Sequence, residues 1–344
     1  MNKEFEELVR EYQRISKGVI NHDRYNLYAI SCHSTGIEGS KLNIDDVNIL
    51  LEYNISPKGT SIEHNLMVQD HHEALKDVLE MAKQKHMPKL GLNDLQRLSP
   101  KILWRTLGFE FAKKGNLSIL EGRLRTVPLQ AGKRVFMEAE NVPTAVDVFL
   151  KDFNEHFHKQ KTITDIYRFS FKAHYDLVDI HPFRDGNGRL SRLIMSFVQK
   201  FYELPMSIVN SNDKEFYFRA LEKTNEVKTY EYLYDFMFEQ ASVFFQQEID
   251  FLLQKKDINV VRVKAQNLKA GMIVESPSFF IGKKTIKRIV DFRSTITKSA
   301  KQLPHKIELV FTDNTKTKFY EQDEIKVIGI DNRINVQQKE FNGK

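Results

Sequence analysis

The 344-residue chain has a single cysteine, a single tryptophan and only nine prolines, and no uninterrupted apolar run reaches the roughly 18 residues that a membrane-spanning helix needs. One cysteine, Cys32, excludes an intrachain disulfide framework and a cysteine-rich zinc site, and it fits a reducing compartment. Standing alone, it reads as a small core residue rather than a nucleophile. The start, Met1-Asn2-Lys3-Glu4, is acidic and amphipathic, unlike a secretory signal, so a cytoplasmic protein is expected. An excess of one charge sign is also missing from most of the chain. Residues 258–331 hold fourteen Lys and Arg against eight Asp and Glu, a surplus equal to the whole chain's +6. Any electrostatic preference for an acidic partner therefore belongs to that segment.

What is present is helical periodicity. Phe5, Leu8, Val9 and Tyr12 recur at i, i+3, i+4 and i+7 and predict a helix with one apolar face. Further helices are expected from about Asp23 to Ile37 with Gly39 as its stop, and over Ile44–Tyr53, Ser61–Lys83 and Asp94–Leu107, the last with Trp104 as a core anchor. Between Gly122 and Pro143, Val127, Leu129, Val135 and Phe136 flank Ala131-Gly132-Lys133, the pattern of a β-hairpin whose Pro128 confines its strand to an edge. From Ile163 to Ile180 apolar residues lie on nearly every side, as in a helix at the centre of a bundle. Beyond Pro182 comes the stripe Leu190, Leu193, Ile194, Phe197, Val198, Phe201. After about Gln254 short β-branched runs take over, at Val260–Val263, Ile286–Val290, Ile307–Phe311 and Ile325–Ile328. The expected fold is mainly α, with a hairpin and a small C-terminal antiparallel β domain. Its divisions are an N-terminal helical region over 1–95, a helical core over 96–254, the β domain over 258–331 and a polar, disordered tail over 332–344.

The chemistry concentrates between the two central helices, in His181-Pro182-Phe183-Arg184-Asp185-Gly186-Asn187-Gly188-Arg189-Leu190-Ser191-Arg192. Gly186-Asn187-Gly188 can take positive φ and turn successive amides the same way, and it opens onto a helix N-terminus, where unpaired N–H groups and the macrodipole favour phosphate. Arg189 and Arg192 rise from the first turn as further phosphate-neutralising charges. Asp185 is the lone carboxylate beside the nest, the usual arrangement for a magnesium shared with phosphate oxygens. His181 can take up a proton near neutral pH. Each element alone is more often a plain turn, cap or solvated side chain; within twelve positions they describe a phosphate-transfer site.

This run resembles the signature of Fic-domain proteins, His-Pro-Phe-x-Asp/Glu-Gly-Asn-Gly-Arg-x-x-Arg, at every specified position, and the likeness extends through Ala173-His174 and Ile180 over roughly residues 25–240. The resemblance implies a Fic-type helical bundle with the hairpin as a flap that holds a target protein by strand pairing. It also implies transfer of AMP from Mg-ATP to a protein hydroxyl, with His181 as base, Asp185 holding Mg²⁺, and Gly186, Asn187 and Gly188 cradling the phosphates. Arg192 would meet the γ-phosphate with Arg189 in support, and Phe183 would anchor the loop. Doc-type relatives carry lysine where this chain has Gly188, which favours AMP transfer over phosphate transfer.

A second family pattern, Ser/Thr-x-x-x-Glu-Gly/Asn, is similar to Ser34-Thr35-Gly36-Ile37-Glu38-Gly39. In relatives with it, the glutamate pairs with the second signature arginine and blocks the γ-phosphate site, which implies a restraint of Arg192 by Glu38. The other reading is a solvated glutamate beside a helix-capping glycine. Gly36, inside a helix, is unfavourable by about 1 kcal/mol relative to alanine, so this segment reads as easy to loosen. Alternatives to an auto-inhibited adenylyltransferase are a hydrolase that removes AMP with Glu38 orienting water, and a nucleotide-sensing binding module. Self-modification and oligomerisation are both compatible with the family. His71-His72-Glu73 would be a metal site only against helix geometry, which turns adjacent side chains about 100° apart and predicts one core and one surface histidine. Lys283, Lys284, Lys287 and Arg288 form either a solvated face or a surface for nucleic acid or another partner.

Overall fold

The computed structural model describes residues 2–19, 22–84, 89–107, 121–131 and 134–256, together with six strands between 261 and 330. The chain divides into two compact units, Met1–Phe251 and Leu252–Lys344.

The first unit is helical. Among the described residues its helices are α1 (Asn2–Ser16), α2 (His22–Ile37), α3 (Ile44–Tyr53), α4 (Ile62–Ala82), α5 (Leu92–Lys101), α6 (Val142–His156), α7 (Ile163–Ile180), α8 (Asn187–Phe201), α9 (Lys214–Val227) and α10, which runs from Glu231 to Lys256. Their ends have local causes. Asn43 and Asp46 form a reciprocal capping box at the start of α3, and Thr162 with Asp165 does the same for α7. Gly39, at φ +105, turns the chain out of α2.

The centre is the pair α7 and α8, and each buries most of its residues. Phe5 of α1 packs edge-on against Tyr167 of α7 and Phe238 of α10, while Phe153, Phe157, Phe197 and Phe201 join α6, the short turn after it and α8. α8 also buries Asn187, Arg189, Ser191, Arg192 and Gln199. Polar groups at the heart of a bundle need partners, which points to a site.

Three expectations change. The helix expected over Asp94–Leu107 breaks at 102–103, and Trp104 is 60% exposed rather than a core anchor. The cause is Asp70 of α4, a fully buried carboxylate that accepts from the backbone N–H of Arg105 at 2.9 Å and of Thr106 at 2.9 Å, recapping the chain and turning Trp104 outward. His71 and His72 are both buried, against the expectation of one core and one surface residue; each ring Nδ1 lies 3.4 Å from Ser31 Oγ of α2. Burial keeps both imidazoles neutral, with His72 lowered to about 4. Gly36 is a packing requirement rather than a weakness, because a Cβ there would lie 2.8 Å from Ser211 Cβ.

Between α5 and α6, β1 (Gln130–Ala131) pairs antiparallel with β2 (Arg134–Val135), and Phe136 N–H donates to Leu129 O at 3.1 Å. Gly132 and Lys133, at the expected turn, lie outside the described residues.

In the second unit β3 (Val261–Lys264), β4 (Met272–Glu275), β5 (Lys283–Phe292), β6 (Lys306–Phe311), β7 (Lys316–Tyr320) and β8 (Glu324–Ile330) form one sheet of order β3-β8-β4-β5-β6-β7. Every neighbouring pair is antiparallel, with register shifts at Ile273/Val274 and Ile286/Arg288. The side chains of Lys283, Lys284, Lys287 and Arg288, and the tail expected over 332–344, lie outside the described residues.

Candidate active site

α7 ends because His181 takes the left-handed conformation, φ 53 and ψ 59, with its N–H closing on Leu177 O at 3.2 Å. Pro182 follows and cannot extend the helix. The loop then turns through Gly186, φ 78, directly into α8, whose N-terminus has no side-chain cap. Unpaired amides therefore face the loop. Asn187 does not cap the helix: its Oδ1 accepts from Phe183 N–H at 2.9 Å and its Nδ2 donates to Phe183 O at 2.7 Å. The residue expected among the phosphate ligands thus ties the loop to itself through its side chain, leaving only its backbone for an anion. Phe183 is 2% exposed.

His181 Nδ1 lies 3.2 Å from Val178 O, so that nitrogen carries the proton and Nε2 keeps its lone pair. One face of the ring stacks on Phe136, with centroids 3.8 Å apart. Burial, assisted by the charges of Arg125 and Arg134 and opposed by the Val178 hydrogen bond and Glu38, lowers the imidazole to about 4. The ring is neutral at physiological pH, with one free edge.

Asp185 is half exposed, accepts from Gly186 N–H at 2.5 Å and stands 3.5 Å from Arg189 Nη2. Among the described residues no cluster of three or more His, Cys, Asp or Glu exists that could hold a metal. A lone carboxylate at the rim fits a hard cation bound mainly through a ligand's own oxygens. Arg189 is buried, donates to Ile102 O at 3.4 Å and, among the described residues, leaves its buried Nε without a partner.

Arg192 is 5% exposed and held on several sides. Its Nε donates to Ser34 Oγ at 2.9 Å, and its Nη2 donates to Ser34 O at 2.9 Å and to Glu38 Oε1 at 2.7 Å. Burial pushes the Glu38 carboxyl up, but Arg192 and Arg189 outweigh it and hold the group below the ordinary carboxylate range. The Glu38 side chain is still 31% exposed, so this ion pair meets solvent on its carboxylate side. The end of α2 and the start of α8, distant in sequence, meet here. Space for the carboxylate exists because position 188 is glycine: a Cβ there would lie 2.6 Å from Glu38 Oε1.

Three supporting residues escaped the sequence reading. Arg125 is 2% exposed; Nε donates to His181 O at 2.8 Å, Nη1 to Val127 O at 3.0 Å and Nη2 to Met137 O at 2.6 Å. It thereby ties both arms of the hairpin to the carbonyl of His181. Arg134 pairs with Asp179 at the end of α7 and lies over Phe136. Tyr217 of α9, fully buried, approaches Arg192 Nη1 at 3.5 Å and His174 Nε2 at 2.8 Å, with His174 lowered to about 3 by burial and by Arg192. Only a buried arginine in a turn-rich stretch could have signalled the first, and nothing local signals the other two.

Residues 93–198 match the family model described as Fic/DOC family. Protein adenylyltransferase fic-1 of Caenorhabditis elegans is 27% identical over 205 residues, 59% of this chain and 37% of that protein. Protein adenylyltransferase Fic of Nematostella vectensis is 30% identical over 199 residues, 56% of this chain and 42% of that protein. The chain thus spans about two-fifths of the length of these curated relatives. Among solved structures, a Fic domain containing signaling protein from Bacteroides thetaiotaomicron superposes with TM-score 0.61 at 19% identity, covering 72% of this chain and 97% of that one. Fic-1 of C. elegans (residues 134–508) gives TM-score 0.58 at 22% identity, covering 72% and 70%. These structures share the fold of the helical unit. Signature loop, matched family model and fold agree on residues 93–198, the part of the chain that is similar to the Fic/DOC family.

Proposed function

We propose that this protein transfers AMP from Mg-ATP to a hydroxyl group of a protein, and that Glu38 restrains the reaction by occupying the γ-phosphate position on Arg192. The observation that carries the reading is the Arg192–Glu38 ion pair at 2.7 Å, beside an uncapped helix N-terminus and a neutral His181. The relatives named as protein adenylyltransferases support the reaction class.

The loop amides and the start of α8 would receive the phosphates, Arg189 and Arg192 would neutralise them, and Asp185 would hold Mg²⁺ together with phosphate oxygens. The ion, when bound, neutralises charge on the phosphates. His181 Nε2 would accept the proton of the incoming hydroxyl, whose oxygen bonds to the α-phosphorus while the bond to pyrophosphate breaks. Backbone pairing with the hairpin at 122–143 would present the target segment, and the protein itself is one such target. We place the catalytic division over 96–254, the restraining helix within 1–95 and a separate β division over 258–331.

Incorporation of labelled AMP by the wild type, Glu38→Gly and the double variant Glu38→Gly/His181→Ala tests the proposal. Glu38→Gly should exceed wild type, and the double variant should be inactive. If Glu38→Gly is no faster, the restraint is misassigned; if it instead loses an AMP-removing activity that wild type shows, Glu38 serves a hydrolase.

A further inference from the structure

Behind the proposed restraining helix lies a cavity of about 440 Å³, within the usual range for small-ligand sites. Its walls are the outer face of α2, the 40–44 segment, the 208–213 turn and the side of α10. None of the residues that hold Arg192 lines it. α2 thus has two faces: Ser34, with Glu38 just beyond the helix end, meets the signature arginine, while Ala29, Cys32 and His33 close the cavity. The two faces are rigidly joined, since His33 Nδ1 lies 3.2 Å from both N and Oγ of Ser211 and Gly36 allows Ser211 to approach without clearance.

The lining specifies charge. Among the described residues, Asp213 and Glu248 supply two carboxylates, the second only 7% exposed, against one ammonium, Lys41. His33 adds none, because burial lowers its pKa. Tyr25, which hydrogen-bonds Glu248, and Phe244 add aromatic surface suited to an organic cation. Gln240 accepts from Asn210 N–H at 2.9 Å and donates to Asp213 at 3.0 Å, fixing the turn and one acid together.

We propose that this cavity binds a small organic ammonium compound and that its occupancy holds Glu38 on Arg192. The second half rests on the proposed restraint. Since α2 provides one wall, withdrawal of α2 dismantles the site, so the ligand binds only the docked arrangement and opposes ATP by linkage.

Putrescine, a diammonium probe for two carboxylates, is titrated calorimetrically into the full chain at constant ionic strength. Saturable one-to-one binding is expected, weakened about tenfold or more in Glu248→Gln and in Asp213→Asn. Val243→Trp, at an exposed position on the cavity wall, should abolish binding by filling the space while thermal unfolding stays cooperative. Absence of saturable heat, unchanged affinity in both charge-removing variants, or preference for malonate over putrescine overturns the site. Putrescine should also raise the apparent Kd for ATP in wild type but not in Glu38→Gly, which reports direct amine–nucleotide pairing; equal shifts in both overturn the coupling. Failure of Glu38→Gly to activate without amine would refute the restraint while leaving the cavity result standing.

Discussion

His181 has one ring nitrogen committed to Val178 O and the other free, and its environment sets how that free nitrogen responds to pH. An ordinary imidazole would lose half its basic form at about pH 6.5. With burial lowering the group to about 4, the base stays neutral until well below that, since protonation requires the pH to fall to the depressed value. The pH profile of kcat/KM for the unrestrained Glu38→Gly variant should therefore be flat from neutrality to about pH 5.5 and fall only below it. His181→Ala in that background should cost about 10² to 10⁴ in rate with ATP affinity unchanged, as measured by single turnover and nucleotide titration. Arg125 holds the His181 carbonyl, so under the proposed mechanism it would act through His181 rather than on substrate. Arg125→Met should lower kcat about 10²-fold while leaving KM for ATP in place, and Arg125→Lys should recover part of the loss. Equal losses in kcat and ATP affinity would mark a general folding defect. The signature residues were legible because their chemistry is contiguous in sequence. Arg125, Arg134 and Tyr217 were not, because each matters through partners brought close only by the fold.

At the scale of elements, helix boundaries were legible where caps are local, as with the box at Asn43 and Asp46. The break near 102 was not, because its cap comes from Asp70 on another helix. The meaning of Gly36 was misread for the same reason: propensity treats it as a weak helix residue, whereas its absent side chain makes room for Ser211. Gly36→Val should therefore destabilise the protein by about 1–3 kcal/mol, visible as a lower denaturation midpoint with unchanged slope, instead of the gain expected from a better helix former. An unchanged midpoint would show that the contact yields without strain.

For the whole molecule, the division at Phe251–Leu252 and the confinement of every signature residue to the first unit lead to a deletion experiment. A chain ending at Lys256, carrying Glu38→Gly, should remain folded and modify itself at the rate of the longer Glu38→Gly chain, as read by intact mass after incubation with ATP and magnesium. A folded but inactive product would make the β unit part of the catalytic machinery. The pairing order of that unit, with β8 between β3 and β4, follows from contacts across the sheet and from no local pattern. In the first unit, position 188 has a consequence for how such a chain can drift. The same missing side chain serves the loop that would receive a nucleotide and the space filled by the glutamate, so most substitutions there disturb both tenants at once. Under the proposed restraint, release by mutation would be far more accessible through position 38 than through position 188, and natural variants without that restraint should be found to differ in the glutamate while keeping the glycine.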